Sequence, residues 1–110
     1  MKSDSSLTDY GVVLIAVGER ALAEKIARVL VETQLAACVT LLPAHSIYTW
    51  ENKLHQEDQW QLLAKTHLTK FAQLEAKVRE LHSDIVPEII ALPIVAGYHP
   101  YLQWIAENVK

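Results

Sequence analysis

The sequence has a single cysteine, Cys38, so no internal disulfide is available and nothing calls for an oxidising compartment. Long hydrophobic runs are missing as well. The longest, Val12 to Val17, falls far short of the roughly 20 residues that cross a bilayer, and the polar, acidic stretch Met1 to Asp9 lacks the apolar segment of a secretory signal. A formal net charge of −3 supplies no basic excess for a phosphate backbone, which argues against a nucleic-acid partner. The histidines, His45, His55, His67, His82 and His99, form neither HExxH nor a Cys/His spacing that predefines a zinc site. No paired acid/base set, Ser-His-Asp order or cofactor fingerprint is visible. These absences lead to the expectation of a cytoplasmic protein that is not an enzyme, with no nucleic acid or membrane among its partners.

What is present is ordinary for a folded protein. Over 110 residues, 51% are apolar and 21% charged, enough to bury one core and too apolar for disorder. Residues 1–9 are expected to be a flexible N-terminus and 10–110 a single domain. Tyr10 to Val17 is a continuously apolar, β-branched run ended by Gly18, the pattern of a strand covered on both faces. From Glu19 to Glu32, Leu22, Ile26, Val29 and Leu30 recur at helical spacing opposite charged residues. Gly18 reads as the N-cap of that helix.

Ala37 to Leu42 and Ser46 to Trp50 read as extended, interrupted at Pro43 and Ala44. Glu51, Asn52 and Lys53 mark a turn, since Asn tolerates the left-handed backbone of tight hairpins, and Lys53 to Lys65 returns as a strand. Thr69 to His82 is a second amphipathic helix. Glu88 to Val95 is a fourth strand, placed at an edge or carrying a bulge by Pro93, and Pro100 opens a short final helix. The order is βαββαβ plus a C-terminal helix: an α+β, ferredoxin-like sandwich with a long β2–β3 hairpin. At about 3.3 Å per residue that hairpin runs to roughly 40 Å and overhangs a core of this size. Its apolar tip, with Tyr48, Trp50 and Trp60, then needs cover from another chain.

Five segments in order, LAACVTLLP (35–43), SIYTWENKL (46–54), LLAKT (62–66), VPEIIALPIVAG (86–97) and YLQW (101–104), give the chain a resemblance to the CutA family. The resemblance implies a compact homotrimer, PII-like in architecture, with a role in tolerance of copper and other divalent cations. It also implies that Tyr48, Trp50, Lys65, Glu88, Tyr101 and Trp104 gather at a cleft between subunits as a ligand pocket, with Glu88 as the counter-charge of Lys65. Aromatic walls and convergent charges are the form small-ligand sites take, though the same aromatics also suit interface packing. The family pattern usually has Trp-x-Gly where Trp50, Glu51 and Asn52 stand, and often an acidic residue at the place of Gln59. For metal, His82 with the nearby Asp84 and Glu88 is the candidate for weak copper binding, imidazole and carboxylate suiting that ion. Cys38, in an apolar strand, reads as a small core residue. The competing functional reading is a PII-like sensor that holds a small anionic metabolite at the intersubunit cleft.

Overall fold

A computed structural model describes residues 9–110; of the expected N-terminal segment 1–9, all but Asp9 lies outside the described residues. Strand β1 (Tyr10–Val17) is central: it pairs antiparallel with β3 (Lys53–His67) on one side and β4 (Ile89–Pro93) on the other. Strand β2 (Cys38–Trp50) pairs with β3, giving the order β2-β3-β1-β4. Helices α1 (Arg20–Glu32), α2 (Phe71–Leu81, preceded by the 3-10 turn Leu68–Lys70) and α3 (His99–Glu107) complete the expected ferredoxin-like order.

Side chains alternate across a strand, so each face of the sheet takes every second residue. Val13, Ile15 and Val17 of β1 and Leu62 and Ala64 of β3 turn to one face and are buried against Ile26 and Leu30 of α1 and Leu74 and Val78 of α2. Burying each such Val, Leu or Ile contributes about 1.5–3 kcal/mol. A smaller cluster seats Leu102 and Ile105 of α3, with Val109, on Tyr10 and Ala37 at the end of the sheet. The opposite face is different. Leu42, Ile90 and Leu92 point there and are about half exposed, so the apolar pattern on both faces of β1 describes a sheet whose second face this chain leaves open.

Several boundaries differ from the sequence reading, each for a local reason. Strand β2 runs through Pro43 without a break: it is an edge strand, and its missing N–H costs no ladder bond on the outer side. Pro93 likewise sits on the edge strand β4, which ends there. Glu19, not Gly18, is the N-cap of α1. Cys38 is half-buried rather than in the core, because its register partner is Lys65 and the pair faces away from α1 and α2. Trp60 lies at the root of the hairpin, not its tip, opposite Pro43, with the Arg20 guanidinium 4.8 Å from its ring centroid.

The end of α1 was not legible in composition. Leu35 N–H donates to Leu30 O at 2.9 Å and Gln34 N–H to Val31 O at 3.0 Å, the paired bonds of a Schellman cap, while Leu30 and Leu35 both join the core. This geometry holds Gln34 at φ 61°, where a Cβ is unfavourable. Gln34→Gly is therefore expected to stabilise the fold by about 0.5–1 kcal/mol, read as a higher urea midpoint at unchanged m-value. A lower midpoint would show that the side chain contributes more than the backbone strain removes.

Candidate functional site

The hairpin closes on a two-residue turn in which Glu51 (φ 51°) and Asn52 (φ 63°) both take left-handed backbone, the conformation that matches the twist of the strands it joins. The turn pairs Trp50 with Lys53 and thereby fixes every cross-strand neighbour down the arm. Tyr48 and Trp50 of β2, and Glu57 and Gln59 of β3, consequently share the open face of the sheet. Together with the 83–88 segment between α2 and β4, they bound a cavity of about 620 Å³.

Its polar groups are linked to one another. Tyr48 Oη donates to Glu57 Oε1 at 2.7 Å, Gln59 Nε2 donates to the same oxygen at 3.1 Å, and Gln61 Nε2 donates to Glu88 Oε2 at 3.0 Å. Tyr48 also stacks on His55, with ring centroids 5.4 Å apart. The bond to Glu57 holds the Tyr48 phenol above its ordinary pKa, with burial adding to the effect, so Tyr48 stays a hydrogen-bond donor through the neutral range. Among the described residues, the carboxylates of Glu57, Asp84 and Glu88 line the cavity and no Lys or Arg does. Uncompensated negative charge between aromatic walls attracts cations and repels anions.

His82 requires a correction. Its Nε2 donates to Ala16 O at 2.7 Å and its Nδ1 accepts the Asp84 N–H at 3.0 Å, so both ring nitrogens are spent on tying the end of α2 to β1 and shaping the 82–84 turn. A metal would have to break one of these bonds. Among the described residues, moreover, no group of three or more His, Cys, Asp or Glu side chains is assembled to hold one, so a single chain does not fit a tight copper site.

The six residues expected to form the pocket fall into two sets within one chain. Tyr48, Trp50 and Glu88 line the cavity. Tyr101 and Trp104 stack on each other at the α3 end, centroids 5.5 Å apart, where burial raises the Tyr101 pKa and the nearby Cys38 adds to the shift. Lys65 belongs to neither: it pairs with Cys38 in register, and its Nζ donates to Thr40 Oγ1 at 2.8 Å. The expected Lys65–Glu88 pair does not form within the chain, because Glu88 meets Gln61 instead. Glu57 was missed, and Asp84, expected beside His82 as a metal carboxylate, was not expected among the pocket residues. Glu57 was within reach of sequence reasoning, since the 51–52 turn makes it the diagonal neighbour of Tyr48; the approach of Asp84 depends on how α2 ends.

Two outcomes follow from these bonds. His82→Ala is expected to cost about 1–3 kcal/mol by orphaning Ala16 O and Asp84 N–H, measured by urea denaturation. A neutral result would show that water replaces the imidazole. For Lys65→Met and Thr40→Val, a double-mutant cycle should return a coupling of about 0.5–1.5 kcal/mol; additive effects would mean that Lys65 is held by other contacts.

Comparison with known proteins agrees with this architecture. Residues 11–108 match the family described as CutA1 divalent ion tolerance protein. The Divalent-cation tolerance protein CutA of Thermus thermophilus is 45% identical over 98 residues, covering 88% of this chain and 95% of that protein. Its counterpart from Pectobacterium atrosepticum is 38% identical over 98% of this chain and 99% of its own length. The solved structure of the Periplasmic divalent cation tolerance protein CutA from Archaeoglobus fulgidus superposes with a TM-score of 0.90 at 36% identity, over 92% of this chain and 99% of that one.

Proposed function

The chain belongs to the CutA1 divalent ion tolerance family, and from that membership we propose that it acts in divalent-cation tolerance as a homotrimer that binds copper or a similar cation weakly, without catalysis. The observation that carries the cation is the cavity's charge: Glu57, Asp84 and Glu88 with aromatic walls and no basic lining residue. With no thiolate or imidazole among its described lining residues, such a site attracts a hydrated cation rather than sequestering it. Binding rather than catalysis suits these side chains, since the Tyr48, Gln59 and Gln61 donors hold two of the carboxylates in place and no nucleophile is aligned with a base.

The homotrimer rests on the family resemblance for its number and on packing for its necessity. The molecule measures 51 × 25 × 22 Å, with a radius of gyration of 14.7 Å against about 13 Å for a compact chain of this size. Leu42, Ile90 and Leu92 on the sheet and Tyr48 and Trp50 on the hairpin are left for another copy to cover. The cytoplasm remains the proposed location on the strength of the lone cysteine, although the Archaeoglobus structure is named periplasmic.

One observation favours the second reading, a small anion bound between subunits. Lys65 is half-buried, makes no ion pair among the described residues, and shares the open face with the Tyr101–Trp104 stack. Calorimetry with copper, nucleotides and small carboxylates separates the readings. Copper should bind the unmodified protein and His82→Ala alike, and about tenfold more weakly after combined Glu57→Gln and Glu88→Gln. Nucleotide or carboxylate binding that Lys65→Met abolishes, with no copper heat, would replace the cation by the anion. Light scattering should give a trimer that Trp50→Glu dissociates, because a desolvated, unpaired carboxylate costs several kcal/mol. A stable folded monomer at micromolar concentration would overturn the assembly.

A further inference from the structure

The other face of the hairpin carries a second cluster, set where the arm leaves the body of the sheet. Strand β1 ends with Val17 paired to Trp60, and beyond that point β3 has β2 as its one neighbour in the sheet. Within one chain the arm from here outward is a two-stranded ribbon, and its cross-strand side-chain pairs are the ties it carries of its own.

The first such pair on this face is His45 with Asp58. His45 Nδ1 lies 2.9 Å from Asp58 Oδ1, and Nε2 lies 3.3 Å from Oε1 of the diagonal neighbour Gln56. Both contacts are to oxygens that accept hydrogen bonds, an arrangement that the imidazolium, with a proton on each ring nitrogen, satisfies in full. A neutral ring has one proton to give. It keeps a hydrogen bond to the Asp58 carboxylate but no longer an ion pair, and turns a lone pair toward the Gln56 oxygen, so that contact is lost unless the amide rotates.

We propose that His45, Asp58 and Gln56 form a protonation-dependent brace at the root of the β2–β3 arm, closed by the imidazolium and loosened by the neutral imidazole. The brace is a property of one chain and does not depend on the cation reading. Few charges compete with it. Arg20, from the start of α1, lies over Trp60 and is paired with Glu24 at 2.9 Å, while Glu57 faces the opposite side, bonded to Tyr48. The cavity of about 540 Å³ between Gly18, Pro43, His45, Asp58 and Trp60 leaves the ring open to water and free to exchange its proton. The bond to Asp58 first, then that to Gln56, raises the His45 pKa above its ordinary 6.5. The sign follows: the brace is complete below the ordinary value and fades as pH rises through the raised one. Ile47 and Leu54 lie exposed on the same face nearer the tip.

The test combines a histidine NMR titration with amide hydrogen exchange, corrected for intrinsic rates, at about pH 5.5 and about pH 8.5 on either side of the histidine range. In the unmodified protein His45 should titrate above 6.5. Protection of the 44–58 amides relative to β1 should fall about threefold between the two conditions, the scale of an exposed ion pair. His45→Gln should abolish that pH dependence, and Asp58→Asn should bring the His45 pKa back down. Titration of His45 at or below the ordinary value would overturn the proposal. So would arm protection that is constant with pH in the unmodified protein, or that changes equally in His45→Gln.

Discussion

The structure turns on a sheet with two apolar faces and helices enough for one. Alternation along β1 sends Val13, Ile15 and Val17 toward α1 and α2, and Val12 and Leu14 the other way. The first set closes a dense core. The second, extended by Leu42, Ile90 and Leu92, forms the surface on which the candidate cavity and the proposed assembly both lie. The function proposed for this chain therefore rests on what the open face carries, while the helical layer packs against the other face.

The hairpin is the means by which residues distant in space are set on that face. Because the 51–52 turn is two residues long and left-handed at both, register is fixed at the tip and transmitted without slippage to Lys65 at the far end. One face of the arm delivers Tyr48, Trp50 and Glu57 to the cavity; the other delivers His45, Asp58 and Gln56 to the place where the third strand runs out. A one-residue slip would exchange the two sets, which is why the turn matters to chemistry and not to stability alone.

On the open face Glu57, Asp84 and Glu88 lie around the cavity and Lys65 lies toward α3, with Lys53 at the tip opposite Trp50. That separation makes a cation at one end and an anion at the other physically distinct hypotheses. His82 shows why a histidine near acidic residues is a poor guide by itself: its neighbours engage it through backbone groups, Ala16 O and Asp84 N–H, and not through their carboxylates.

By itself the sequence determined the elements and their order, because hydrophobic period is a local property: β1 matches the reading residue for residue, and α1, β3 and α2 lie within a few residues of it. It also limited Pro93 to an edge strand or a bulge, of which the fold shows the edge, and the five motif segments identified the family. The tertiary structure decided what depends on contacts between segments far apart in the chain. It placed Pro43 on an edge where β2 can run on, turned Cys38 out of the core, gave Lys65 to Thr40 and Glu88 to Gln61, and occupied both nitrogens of His82. Composition names the groups able to bond, but partner choice among polar side chains is set by distance and direction, and those exist once the strands are in register.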